Sequence, residues 1–339
     1  MSSTIYKNRL PAASPEPPSA KPYHRGYTAP PELRSAIAAA HRNRSWITIG
    51  AALADHLVIY LALAATVWTV TNGWWPLSLI VVPAGLVVVG RNLRALECLI
   101  HEGSHFNLSR TRRRANDVLT FVLCGLPAGI IVADYRASHL LHHGRFGGNQ
   151  DPDRQRYIEL DLEPMRRDDW RTFLMGLSRR LPRYQIGWLR AIGADRLCLA
   201  MPLGWALIAV GAPFWALAGP HEGIVAAVAW LGAYLLVLPV IRFLAESSEH
   251  VYSDATTVFD ATISNLGRMQ RLLLHAHNDG YHTVHHMWPG VPHHALRKLH
   301  ELLLVEDPDG YGARLRFRTR FLQEPQTRPG GPAGRRRPR

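Results

Sequence analysis

The chain has 339 residues, 47% of them hydrophobic, with 39 Lys and Arg against 26 Asp and Glu, a net charge of +13 and a pI near 10.2. Three widely spaced cysteines in apolar surroundings, Cys98, Cys124 and Cys198, exclude a disulfide framework and a cysteine-based zinc site. The mean hydropathy of -0.07 averages long apolar runs with an arginine-rich remainder, and that segregation points to a membrane protein with extramembrane parts.

Residues 1–30 are rich in Pro and polar groups and read as a disordered arm. They carry no apolar core of a secretory signal, so the N-terminus is expected to be cytosolic. Pro30-Pro31-Glu32-Leu33 then opens a helix, Pro being tolerated in a first turn. The main body is read as residues 31–305. Four apolar runs, at about 47–70, 74–96, 197–218 and 224–245, are each long enough to cross about 30 Å of hydrocarbon at about 1.5 Å per residue. They pair into two hairpins through Thr71-Asn72-Gly73 and Gly219-Pro220-His221-Glu222-Gly223, turns that lack Lys and Arg.

Positive charge gathers in the arm, in the long segment 91–196 and in a basic C-terminal tail, 306–339, whose last Gly/Pro/Arg stretch reads as disordered. The positive-inside rule therefore puts all three in the cytosol. A fifth run, 118–133, is broken by Gly125-Leu126-Pro127 and is short for a span, so it is read as an interfacial or re-entrant element. Trp74 and Trp75 read as interfacial anchors. If Arg91 and Arg242 snorkel at the membrane surface, continuing helices lift His101 and His250 roughly 12–15 Å clear of it. The fold class is thus all-α integral membrane: four transmembrane helices in two hairpins, with a cytosolic helical cap.

Eight of the 18 histidines fall in three clusters: His101 and His105; His139, His142 and His143; His282, His285 and His286. Positions i and i+4, or i, i+3 and i+4, share one helix face, so each cluster presents its imidazoles toward one point, as a metal-ligating helix does. Eight imidazoles exceed the coordination of one transition metal and suit two. Imidazole alone does not choose among Zn, Cu, Fe and Ni. Were 118–133 to cross the membrane, the first two clusters would lie on opposite faces and could share no metal. His250, after the fourth run, is read as a ninth ligand. Its alternative is a helix-terminal histidine paired with Glu246 or Glu249, and those carboxylates equally suit the orientation of a ligating imidazole.

The sequences His101-Glu-Gly-Ser-His105, His139-Leu-Leu-His142-His143 and Asn278-Asp-Gly-Tyr-His282-Thr-Val-His285-His286, with Val291-Pro-His-His-Ala-Leu-Arg-Lys-Leu-His300 following, resemble the membrane fatty acid desaturase family, which includes related hydroxylases and ketolases. The resemblance spans about residues 30–305. It implies a centre of two iron ions that activates O2 at an unactivated C–H bond, with His101, His105, His139, His142, His143, His282, His285 and His286 as ligands and His250 standing where the family often adds another. Glu102, Glu246, Glu249 and Asn278 are expected to support the ligands, Asn278 through a metal-bound water. No His-Pro-Gly-Gly haem-binding segment is found, so electrons are expected from a separate ferredoxin or cytochrome b5 with its reductase, docking on the arginine-rich face. His282 replaces the Gln that opens the third box of many front-end desaturases.

Three functions compete. An O2-dependent desaturase acting on a fatty acyl chain leads. A hydroxylase, ketolase or desaturase of a non-lipid metabolite uses the same centre and differs in the fate of the carbon radical. A histidine-rich metal transporter should place its ligands within the spans, whereas these clusters lie outside them. Nucleic-acid binding rests on the tail alone. Asp55 and His56 lie inside the first run and read as packed against a neighbouring helix or functional. His275, His277, His293, His294 and His300 around the third box read as supporting or surface residues. Asp134, Asp151 and Asp153 near the second read as caps or as partners of a ligand or substrate head group.

Overall fold

The computed structural model describes residues 25–73, 75–253 and 255–328. His24, Trp74, most of the expected N-terminal arm and the last eleven residues of the tail lie outside them. Among the described residues the protein is all-α apart from a two-residue parallel ladder, Ser264–Asn265 with Phe317–Arg318, and isolated bridges His250 to Thr262 and Phe317 to Gln326. It divides into two compact units, residues 44–136 with 185–244, and residues 25–43 with 137–184 and 245–328 among those described.

In the first unit the apolar runs form the helices Ser45–Thr71, Trp75–Ser104, Arg196–Ala218 and Pro220–Glu246, each long and apolar enough to cross a membrane. The last two residues of the final helix already belong to the second unit. Helices solve the hydrocarbon problem because every backbone amide is satisfied within its own segment. Between lipid-immersed helices, close packing and polar bonds replace the hydrophobic effect as the main glue. At Gly85 a Cβ would sit 2.2 Å from Thr66 Oγ1, and Gly211 and Gly223 approach each other backbone to backbone. Trp230 and Tyr234 stack at 5.3 Å in the buried centre.

Three stretches of this unit are π-helical: Phe121–Gly125, Trp205–Gly211 and Ala233–Val237. Each has a carbonyl bonded by a side chain from elsewhere in the unit: His56 Nε2 donates to Leu123 O at 2.7 Å, Tyr60 Oη to Ala209 O at 2.5 Å, and Gln185 Nε2 to Leu235 O at 2.5 Å. Side chains thus serve carbonyls that π geometry takes out of regular pairing. His56 therefore has a packing role.

Two arginines of the long helices stand in ion pairs. Arg242 is 8% exposed and forks onto both oxygens of Glu97, and Arg91 lies 3.6 Å from Asp55. Once such a pair is buried, removing one partner would leave an uncompensated charge in low dielectric. The run 118–133 forms no straight rod. Its helix, Arg113–Ala128, breaks at Gly129 (φ 69°) and meets Val132–Gly144 at 93°.

The second unit is built of short helices and clamped turns. Asp151 caps Pro152–Glu159 through Asp153 N and Arg154 N. Thr257 and Asp260 form a capping box on Val258–Ala261. The helix His282–Met287 is buried on all sides, with Thr283 Oγ1 receiving the hydroxyls of Thr262 and Ser264.

Candidate metal centre

Two short helical stretches of the second unit carry the second and third histidine clusters. His139, His142 and His143 lie on Val132–Gly144, and His282, His285 and His286 on His282–Met287. The i, i+3, i+4 spacing gives each stretch one imidazole face. His143 Nε2 is 3.1 Å from His139 Nε2 and 3.0 Å from His285 Nε2. His286 Nε2 is 3.4 Å from His142 Nε2 and 3.1 Å from His282 Nε2, which is 2.9 Å from His250 Nε2. Seven imidazoles therefore face one another nitrogen to nitrogen in two sets.

Such an arrangement is a poor hydrogen-bond network, since a neutral imidazole has a single N–H and five facing pairs compete for it. It is a good donor set for cations, and the distal nitrogens agree. His142 Nδ1–H donates to Asp151 Oδ1 at 2.7 Å and His250 Nδ1–H to Ala261 O at 3.3 Å, which leaves both Nε2 lone pairs facing inward. Burial, and then the charge of His142, pushes His250 down to about 3, and burial holds His286 well below the usual imidazole range. Both rings are neutral at neutral pH, the form that binds metal. Burial alone would lower His142 as well, but the carboxylates of Asp153 and Asp151 outweigh it and raise its pKa. The residues present thus fit transition-metal ions of the kind imidazole binds, and the donor set by itself does not name the metal.

His250 is not on a continuing helix. The helix ends at Glu246, and His250 sits in extended backbone bridged to Thr262. Its segment is clamped group by group. Tyr157 Oη donates to Glu246 O and accepts from His250 N at 3.2 Å. Arg167 donates to Ser247 O and Oγ at 3.0 and 2.8 Å, and Arg318 with Asn265 to Ser248 O at 2.7 and 3.0 Å. The Arg167 guanidinium is 1% exposed and lies between the rings of Phe173 and Phe321 at 5.1 and 4.8 Å. Burial, and then Arg318, pushes its pKa down to about 9. Phe146 covers His286, His142 and His250, with ring centroids 4.5, 5.2 and 5.4 Å away, and Tyr252 stacks on His250 at 5.3 Å. These aromatic faces keep bulk water off the imidazoles.

In the first unit, His101 and His105 lie at the end of Trp75–Ser104 with ring centroids 5.3 Å apart. Their turn is fixed from two sides. Asn116 Nδ2 donates to Gly103 O at 2.9 Å, and Arg136, three residues before His139, donates to Ser104 O and Gly103 O at 3.0 Å each while pairing with Asp117. Gly103 permits this approach, because a Cβ there would lie 2.3 Å from Thr120 Oγ1.

The four residues expected to support ligands have distinct surroundings. Glu102 is buried beside the first cluster. Glu246 engages Arg156 at 3.1 Å and Tyr184 Oη at 3.0 Å. Glu249 lies 3.4 Å from His275 Nδ1. Asn278 is left-handed (φ 64°), and its Nδ2 donates to His293 O at 3.0 Å. His275, His293 and His300 are buried, which removes them from any surface role, and His300 bonds Tyr311 Oη at 2.9 Å. Asp151 unites its two sequence readings, since it caps a helix and orients His142. The sequence readings missed Arg136, Phe146, Tyr157, Arg167, Tyr252 and Arg318. For Phe146 and Tyr157 the available signal was an aromatic residue within a turn or two of the cluster or the Asp cap. For the arginines there was none.

Comparison with known proteins bears on the whole of this region. The model of the fatty acid desaturase family matches residues 72–319. The chain is also 24% identical over 296 residues to a dihydrorhizobitoxine desaturase of Bradyrhizobium elkanii, covering 81% of this chain and 80% of that one.

Proposed function

The chain belongs to the fatty acid desaturase family, as a multi-pass membrane oxidoreductase of desaturase type, and from that premise we propose that it is an O2-dependent diiron desaturase that introduces a double bond into a fatty acyl chain. The observation that carries the reading is the convergence of seven imidazole Nε2 atoms, two of them with Nδ1 tied to an acceptor. His139, His142, His143, His250, His282, His285 and His286 are the ligands in this reading, and the family resemblance adds His101 and His105. Two iron ions, when bound, supply the activation of O2 and the removal of two hydrogens from adjacent carbons. The chain's own part is to hold protons on Nδ1 of His142 and His250, to fix the rings and to keep bulk water away. Electrons come from a separate ferredoxin or cytochrome b5, drawn by the basic surface. The distribution of positive charge supports a cytosolic side for the N-terminus, the histidine clusters and the C-terminus in this reading.

A second reading has a specific support: the relative is named for dihydrorhizobitoxine rather than for a fatty acyl chain. The same centre would then desaturate a non-lipid metabolite. The test compares mass spectra of lipids and small metabolites from cells expressing wild type or His142→Ala, with a ferredoxin and its reductase supplied. Acyl species lighter by about 2 Da support the first reading and a small metabolite lighter by about 2 Da the second, whereas gains of about 16 or 14 Da would replace desaturation by hydroxylation or ketolation. Identical spectra despite bound iron and a competent carrier would overturn lipid desaturation in that host.

A further inference from the structure

Behind the imidazole sets, and sharing none of their residues, lies a third group of ligand-type side chains: Glu249, His275 and Asp279. His275 is fully buried. Its Nε2 is 3.3 Å from Ser248 Oγ, whose own hydrogen goes to Ala245 O at 2.7 Å, so the hydroxyl oxygen accepts and Nε2 carries the proton. Burial alone would lower the His275 pKa, but Asp279 and Glu249 outweigh it and raise it, so a cation at Nδ1 would displace a proton held there by those carboxylates. Nδ1 makes no hydrogen bond, although it points between two carboxylates, 3.4 Å from Glu249 Oε1 and 3.7 Å from Asp279 Oδ2. These separations are long for hydrogen bonds and short for mere neighbours, and the three ligand atoms all lie within 4.8 Å of one another. A cation seated among them would meet each at about the 2.0–2.2 Å usual for imidazole nitrogen and carboxylate oxygen. Glu249 and Asp279 supply carboxylate oxygens, a ligand type that zinc and manganese accept beside an imidazole.

We propose that Glu249, His275 and Asp279 bind a divalent cation of the zinc or manganese type, separate from the histidine-box centre. Its role is positional, with water completing the coordination that one nitrogen and two carboxylate oxygens leave open. The clip joins the segment after the fourth long helix to the turn before the third cluster. Glu249 is the neighbour of His250 and Asp279 stands three residues before His282, so the ion fixes the approach of those two imidazoles, whose ring nitrogens are 2.9 Å apart. The cation site stands without the reading of the box histidines as metal ligands; only its positioning role rests on that reading.

The test uses the full-length protein in lipid nanodiscs, supplied with Zn2+ or Mn2+, and counts metal per chain by mass spectrometry. Asp279→Asn and His275→Gln are expected each to lose one equivalent relative to wild type, and His142→Ala to keep that equivalent while losing metal of the box. Metal content equal to wild type in both Asp279→Asn and His275→Gln would overturn the proposal and leave His275 as an imidazolium between two carboxylates. Should those variants fail to insert, zinc-edge absorption of His142→Ala decides alone. Zinc with one imidazole and two carboxylate ligands supports the site, and zinc with several imidazoles only, or no retained zinc, overturns it. Loss of box metal in His142→Ala tests the proposed function separately.

Discussion

The two units hold their buried arginines by different means. In the unit of long helices Arg242 forks onto Glu97, which also lies 3.8 Å from Arg94, and Arg91 lies 3.6 Å from Asp55. In the unit that carries the second and third clusters, the buried Arg167 and Arg318 are directed at the carbonyls of Ser247 and Ser248. The difference follows from what each must hold still. A regular helix satisfies its own backbone, which leaves an arginine on it free to meet a carboxylate. The turn at 247–249 that leads to the bridge at His250 leaves carbonyls to be satisfied from outside, and two buried guanidiniums with several donors each do that while fixing its path.

Substitutions can break this contrast in order of expected size. The largest effect belongs to His142→Ala, which removes one of the two imidazoles with a tied Nδ1. Turnover should vanish while helix content by circular dichroism and membrane insertion stay at wild-type level, and residual activity near that of wild type would dismiss the ligand assignment. Next, Arg242→Met leaves Glu97 buried without its fork and should cost about 3–5 kcal/mol. The double variant Arg242→Met with Glu97→Leu should recover part of that loss in thermal unfolding, short of all of it because Arg94, 3.8 Å from Glu97, loses a carboxylate partner as well. Third, Asp151→Asn keeps a good helix cap but replaces the carboxylate at His142 Nδ1. Metal affinity or activity should fall about 10–100-fold, and an unchanged melting curve would show that cap and orienting role separate. The smallest change is Thr257→Ala, which opens one capping box for about 0.5–2 kcal/mol, read as a modest drop in unfolding temperature with metal content intact.

The contrast also explains what the sequence displayed. The long helices were legible, within a few residues at most ends, because a span announces itself by an unbroken apolar run. The second and third clusters were legible as shared faces because i, i+3, i+4 is a local pattern. His250 was placed by chain position alone, and its setting in extended backbone could not be read, since nothing local distinguishes a helix that continues from one that stops at Glu246. The ion pairs of Arg91 and Arg242 escaped the sequence for a related reason: Asp55 and Glu97 are legible as residues but not as neighbours. Asp151 and the Arg167 and Arg318 clamps are likewise contacts over long stretches of chain, fixed only once the fold exists.

The three π-helical stretches carry a consequence for how this chain tolerates change in length. Each holds about one residue more than an α-helix of the same rise would need, with its displaced carbonyl met by His56, Tyr60 or Gln185. Deleting a single residue within Trp205–Gly211 or Ala233–Val237 would therefore return that stretch to α-helical winding and leave both flanks in phase, whereas the same deletion in the middle of Ser45–Thr71 would turn every later side chain by about 100° about the helix axis. The long helices thus contain places where a length difference between relatives can be absorbed locally.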